Sequence, residues 1–303
     1  MLAECAQQSD RKRCTPTRSF SRLYLARGVY SHARMHRASH VVGTVADVPT
    51  TAYRVAIGEP EVEHRFRVDW MQAQAFLGCV AGRLTNDVYD PDRPVSFLLT
   101  TYFDTPDQRL WNSSGNVGRA RVRLRQYASA VTGDSTAMIT DTCAFEVKLS
   151  IFESRRMARV VGEPRDLQRL LHGGAWRDPR LTELRALRHA ARAVGTGKLR
   201  PVLTTYFRRL SRSAPGIRVT LDDRIAFARP MPLGHPGQRA EPGDVFRKDD
   251  QLVLEVKLSA APPAWLTDAM RLVRLTGRES KFHDGMLNAQ RIRRSTGPMR
   301  AAV

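Results

Sequence analysis

Arginine recurs at every second position from Arg119 to Arg125, in the run Arg-Ala-Arg-Val-Arg-Leu-Arg. In an extended strand that period places Arg119, Arg121, Arg123 and Arg125 on one face and Ala120, Val122 and Leu124 on the other. Neighbouring guanidinium groups would stand roughly 7 Å apart, repelling by about 2.4 kcal/mol per pair at an effective dielectric near 20 and by about 0.6 kcal/mol in open water. Such a row tolerates enclosure only where anions share the space. The same alternation turns Glu146 and Lys148 away from Phe145, Val147 and Leu149, and turns Glu255 and Lys257 away from Leu254, Val256 and Leu258. Arg218 in Ile-Arg-Val-Thr-Leu-Asp and Arg208 after Tyr206-Phe207 add cations from later in the chain.

Many convergent cations with a few carboxylates suit a polyphosphate: the cations meet phosphate oxygens, and a carboxylate holds the divalent metal that bridges them. The carboxylates available are Glu63, with Glu61 on the same strand face, Glu146 and Glu255. Each could instead pair with a neighbouring arginine, and each basic strand could be the solvent face of a half-exposed sheet. Against the solvent reading, the Arg119–Arg125 row carries no acid, whereas a solvated face usually mixes charge signs. His64 and His283 stand isolated and read as surface residues; the histidines form no metal constellation.

The elements that must position these groups repeat. Leu-Thr-Thr-Tyr-Phe occurs at 99–103 and again at 203–207, and Glu-Val-Lys-Leu-Ser occurs at 146–150 and again at 255–259. The order is the same in both halves, so a duplication is expected. All four segments have the Val, Leu, Thr, Tyr and Phe content of strands. Helical periodicity is confined to about Val68–Arg83, Glu163–Ala193 and Ala264–Leu275, the last following Pro262-Pro263. Loops are expected over Pro230–Gly243 and Gly133–Thr142. The fold class expected is mainly β (α+β): an eight-stranded antiparallel β-barrel forming a tunnel, with helices packed outside. A two-sheet sandwich is the alternative.

Composition bounds the partners. The 303 residues carry a formal charge of +19 with a pI near 10.8, a field that concentrates polyanions. Residues 1–50 hold eight Lys/Arg against three acidic residues and show no sustained period; a disordered basic tail is expected there. A transit peptide or a start at Met35 would also account for it. Residues 51–294 form the expected domain, and 295–303 an expected disordered end. Four scattered cysteines without C-x-x-C spacing point to neither a zinc site nor a disulfide framework. No apolar run reaches the length of a membrane span, so a cytoplasmic protein is expected.

Several ordered motifs resemble the VTC domain of the triphosphate tunnel metalloenzyme superfamily over about Tyr53–Arg291. They are Glu63-His-Arg-Phe66, Thr101-Tyr-Phe-Asp-Thr-Pro106, Arg121-Val-Arg-Leu-Arg-Gln-Tyr127, Phe145-Glu-Val-Lys148 with Arg155-Arg156, and Arg200-Pro-Val with Tyr206-Phe-Arg208. Arg218-Val-Thr-Leu-Asp222, Leu254-Glu-Val-Lys257 and Ser280-Lys281-Phe282 complete the series. The resemblance implies an ATP-dependent polyphosphate polymerase, which transfers the terminal phosphoryl group of ATP to a growing polyphosphate chain inside a basic tunnel. It implies that Arg121, Arg123, Arg125, Lys148, Arg208, Arg218 and Lys281 act on the phosphates. Arg65, Arg119, Arg156, Arg278 and Ser280 would bind substrate beside them, and Glu255 with Glu63 would hold Mn²⁺ or Mg²⁺. Arg65 and Arg278 stand where the family usually has Lys, which keeps charge but replaces a mobile ammonium by a fork. Leu210-Ser211 also stands where the family has an aromatic ending.

Two other readings compete. In a metal-dependent triphosphatase of the same fold, water attacks instead of a phosphate chain, and Glu61-Val-Glu63-His-Arg65 approximates the Glu-x-Glu-x-Lys motif of that branch. A non-enzymatic polyanion-binding module would hold nucleic acid or polyphosphate without turnover. Nucleic acid is not the expected partner, because single-strand binders place aromatics among the cations and the Arg119–Arg125 row carries none.

Overall fold

In the computed structural model, the residues described are 54–57, 62–112, 119–151, 154–172, 194, 198–273 and 280–295. They form eleven antiparallel strands and five helices. The strands are β1 (Arg54–Ile57), β2 (Val62–Val68), β3 (Thr85–Asn86), β4 (Val95–Asp104), β5 (Arg119–Ala130), β6 (Met138–Ile151), β7 (Ser154–Gly162), β8 (Arg200–Ala214), β9 (Ile217–Ala228), β10 (Val245–Asp249) and β11 (Leu252–Leu258). The helices are α1 (Trp70–Val80), α2 (Arg109–Asn112), α3 (Pro164–His172), α4 (Ala264–Arg271) and α5 (Lys281–Ser295).

One sheet runs β1-β7-β6-β5-β4-β8-β9-β11-β2, with β10 on β9 and β3 on β8. The β-rich antiparallel class expected from the sequence is present. The ladder begins at β1 and ends at β2 without returning, so the closed eight-stranded barrel is not formed by hydrogen bonding among the described residues. The sheet is nonetheless strongly curled. Strands β6 and β2 stand six places apart in the order, which in a flat sheet means roughly 29 Å. Yet Lys148 Nζ on β6 donates to Glu63 Oε2 on β2 at 2.7 Å.

The curl gives the sheet an outer and an inner face. Outside, Val122, Leu124, Phe145, Val147 and Leu149 pack with Leu110 of α2 and Leu167 and Leu171 of α3. A second outer cluster joins Phe66, Val219, Leu254 and Val256 to Ala73, Phe76 and Val80 of α1 and to Leu266 and Ala269 of α4. The helix expected from Val68 begins at Trp70, because Val68 belongs to β2. Asp69 caps it, accepting from Gln72 N at 2.8 Å while the Gln72 side chain accepts from Asp69 N at 3.1 Å. Its buried face is Ala73, Phe76 and Val80, while Met71 is exposed.

Helix α5 corrects the expectation that helices pack outside. Its Phe282 and Met286 join Leu98, Tyr102, Leu203, Phe207 and Phe227 in an apolar cluster on the inner face. Gly285 permits this approach, since a Cβ there would stand 2.4 Å from a Leu203 methyl. The loop expected over Gly133–Thr142 is shorter than that, because β6 begins at Met138 and extends the β5 hairpin. The Glu163–Ala193 helix is seen over Pro164–His172, and α4 ends at Arg271; what was expected beyond them lies mostly outside the described residues.

Candidate active site: a cationic inner face

Directly paired residues on antiparallel strands share a face, so the ladder assigns the inner face residue by residue. Tyr102 pairs with Arg123, Arg123 with Glu146, and Arg121 with Lys148. Glu255 pairs with Thr220 on one side and Arg65 on the other, and Lys257 pairs with Arg218 and with Glu63. Arg65, Arg121, Arg123, Arg125, Lys148, Arg218, Glu63 and Glu255 therefore share one face although they come from both halves of the chain. Lys281 joins them from α5, donating to Asp222 Oδ2 at 2.6 Å.

Four carboxylates organise this charge. Glu63 and Glu255 each accept from Arg65 Nη2 at 2.5 Å, and Glu63 also accepts from Lys148. Glu146, 1% exposed, accepts from Arg123 Nε at 2.6 Å, with Arg159 Nε at 3.6 Å and Arg125 Nη1 at 3.7 Å. Asp222, fully buried, takes a fork from Arg209 at 2.6 and 2.7 Å as well as Lys281. Burial alone would raise each acid, but the surrounding cations hold Glu146, Asp222 and Glu255 below the ordinary carboxylate range.

Arg121 is different. It is partly buried, and among the described residues no carboxylate bonds to it. Burial, together with the neighbouring Arg65 and Arg123, pushes its pKa down to about 10, against the pull of Tyr102 and Glu63. It stays charged at neutral pH, with no carboxylate hydrogen-bonded to it among the described residues. Burial likewise pushes Lys148 down to about 8 despite Glu63 and Glu255. The Tyr102 hydroxyl goes the other way from its burial: Arg123 and Arg125 lower it below its ordinary value.

The remaining expected residues divide. Ser280 is buried, and its hydroxyl accepts from His283 N at 3.2 Å, so it caps α5. The side chains of Arg119, Arg156 and Arg278 lie outside the described residues. Arg208 is not brought to the group. It pairs with Phe97 across β4, faces outward, and binds Asp223, with Nε to Oδ1 at 2.8 Å. The inner position belongs to its neighbour Arg209. A bulge decides this region: between the pairs Tyr206–Ala226 and Arg208–Asp223, one residue on β8, Phe207, faces two on β9, Arg224 and Ile225. The extra residue, Arg224, takes φ 51°. By adding one residue it turns Asp222, Thr220 and Arg218 inward.

Sequence reasoning also missed Arg159 and Asp222. The alternation Arg159-Val160 and the pair Arg209 with Asp222 were legible only once partner strands were known. Aromatics do share the cationic face, in Tyr102, Tyr127 and Phe207, but all three are buried in the apolar cluster around α5 and offer no open ring to a base.

This arrangement, basic side chains from both halves around two arginine-bridged glutamates, can be set against known proteins. The VTC domain matches residues 59–289. The chain belongs to the VTC-domain family. No curated protein sequence matches it. Among solved structures, the VTC-domain protein is similar to a candidate adenylate cyclase from Bacillus halodurans, at 13% identity and a TM-score of 0.43, covering 75% of this chain and 97% of that one. It is similar to the PH1819 protein of Pyrococcus horikoshii at 12% identity and a TM-score of 0.41, covering 76% and 99%. A candidate adenylate cyclase from Vibrio parahaemolyticus matches at 14% identity and a TM-score of 0.40, covering 75% and 98%. No helix among the described residues is long and apolar enough to cross a membrane.

Proposed function

We propose that this VTC-domain protein is an ATP-dependent polyphosphate polymerase whose inner face holds the triphosphate and the growing chain. The observation that carries the reading is Arg121, a partly buried guanidinium with no carboxylate bonded to it among the described residues, set beside Arg65, Arg123 and Lys148. A phosphate oxygen is the ligand that would supply the missing charge. Arg123, Arg125, Lys148, Arg218 and Lys281 would cradle the remaining oxygens, and Arg209 would take the place expected of Arg208. In-line phosphoryl transfer suits this inventory, since it needs positioning and charge neutralisation and no protein nucleophile. The terminal phosphate of the chain attacks the γ-phosphorus of ATP, the bond to the β-phosphate oxygen breaks, and ADP leaves. In the working form, β1 and β2 would bring the two sheet edges together and complete a tunnel.

The donor set fits Mn²⁺ or Mg²⁺. Glu63 and Glu255 are hard oxygen donors brought onto one guanidinium, and such ions commonly take one or two carboxylates plus substrate phosphates. When bound, the metal would neutralise charge on the transferring phosphate.

The packing of Phe282 and Met286 against the inner face favours a second reading, triphosphate hydrolysis, because it occupies space that an outgoing chain would use. One assay separates the two. The full chain is incubated with ATP and Mn²⁺ or Mg²⁺, and acid-insoluble phosphate polymer is measured alongside free phosphate. Polymer supports the polymerase; phosphate without polymer assigns the hydrolase; neither product, from protein that binds ATP, leaves a sensor. Glu255→Gln should abolish turnover and leave ATP affinity largely intact.

A further inference from the structure

Beside the inner face, between α2 and the start of α5, lies a cavity of about 230 Å³ whose lining includes Trp111, Asn112, Arg121, Phe282 and His283. It is smaller than the roughly 300–1,000 Å³ of drug-sized pockets, a size that suits one flat heterocycle. Its walls are rings. The Trp111 centroid stands 4.8 Å from that of His283 at 37° and 5.6 Å from that of Phe282 at 89°. Phe282 in turn stacks on Tyr102 at 4.8 Å.

The placement of these rings is built in. Buried Asp104 accepts from Leu110 N and Trp111 N, each at 2.9 Å, and from Thr105 N at 2.7 Å, so it fastens α2 to the end of β4. On the other side, the Ser280 cap fixes the first turn of α5 and with it His283. Trp111 is only half-buried, so its ring has surface left for a ligand. Arg121 belongs both to this cavity and to the inner face, and among the described residues it is the one charged group that the two share.

We propose that this cavity receives the heterocyclic base of the incoming nucleoside triphosphate, with Trp111 and His283 supplying the stacking surface and Asn112 the edge contact. The proposal rests on the triphosphate reading of the inner face. A base bears a π-face that any aromatic wall accepts, and one good stack is worth enough to change affinity severalfold or more. Arg121, shared by the two spaces, places the base end of the nucleotide here while its phosphates run along the cationic strands. The consequence is a preference for nucleotides over bare phosphate chains as phosphoryl donors. His283 takes on a role that its isolation in the sequence does not suggest.

The test measures binding of ATP and of inorganic tripolyphosphate to the full chain by calorimetry, for the wild type and for Trp111→Ala, His283→Ala and Trp111→Phe. Trp111→Ala is expected to weaken ATP about five- to a hundredfold, with His283→Ala weaker in effect and Trp111→Phe intermediate. Tripolyphosphate affinity is expected to hold within about twofold, which also reports that each variant retains a folded inner face. The proposal is overturned if Trp111→Ala and His283→Ala leave ATP affinity unchanged while tripolyphosphate still binds, or if they weaken both ligands equally. If the wild-type chain binds neither ligand, the triphosphate reading itself fails and takes this proposal with it.

Discussion

The two pairs of echoed segments behave differently in space. Glu146 and Lys148 face inward on β6, and their counterparts Glu255 and Lys257 face inward on β11. The other echo does not keep its face: Tyr102 points inward on β4, whereas Tyr206, at the same place in Leu-Thr-Thr-Tyr-Phe, pairs with Leu99 and points outward. Side chains on a strand alternate with period two, so a shift of one residue in register exchanges the faces of a whole segment. The irregularity between Tyr102 and Phe103, where β4 advances one residue against two on β8, lies at this junction. Identity of sequence between halves is therefore evidence of strand, and not of which way a side chain points.

The largest effect that would test this comparison is at Arg209. If the inward position belongs to Arg209, Arg209→Ala leaves Asp222 with one cation in place of two in a fully buried setting, and breaking such a pair costs about 3–5 kcal/mol. Denaturant unfolding should show that loss, and phosphate binding should fall with it. Unchanged stability would mean that Asp222 is not held as described.

Glu146 sharpens the contrast between the twin glutamates. Glu146→Gln removes one charge-assisted partner of Arg123, costing about 1.5–3 kcal/mol, and it should alter the acid limb of stability. The folded Glu146 carboxyl is held below its ordinary value of 4.5. Its contribution is therefore complete above that pH and is lost as pH falls through the lowered folded value. The wild type should lose stability steadily below about pH 4.5, and the variant should lose less. Parallel acid limbs would contradict the assignment.

Much of this site was legible before any coordinates. Alternation put Arg121, Arg123 and Arg125 on one face of their strand and turned Lys148 and Glu255 away from their apolar neighbours, because long regular strands leave little freedom in the period of two. What was not legible depended on irregularity or on distance. The Arg224 bulge inserts one residue into β9, and nothing in Asp222-Asp223-Arg224 announces where the phase changes. Helix α5 lies outside the three segments whose periodicity read as helical, and its inward packing depends on Gly285 meeting Leu203. Asp104, fastening α2 under Trp111, was visible only as one letter of a motif.

A smaller effect is expected at Arg121. With no carboxylate bonded to it among the described residues, the guanidinium adds repulsion to the empty protein and attraction to the loaded one. Arg121→Ala should weaken tripolyphosphate about tenfold, near the lower end for a charged hydrogen bond, while the unfolding midpoint of the ligand-free protein holds or rises. A fall in both would mean that Arg121 serves the fold instead.

The smallest effect belongs to Arg208, and it completes the comparison because Arg208 and Arg209 differ by one position and, by the ladder, by a whole face. Arg208 meets Asp223 on the outer surface, at 27% side-chain exposure, where solvent screening limits an ion pair to about 0–1 kcal/mol. Arg208→Ala should therefore change stability by no more than about 1 kcal/mol and leave tripolyphosphate affinity where it was. A variant that lost phosphate binding while Arg209→Ala kept it would reverse the phase of β8. It would restore the face that the repeated motif alone suggested, and remove the argument that the bulge at Arg224 turns the second half inward.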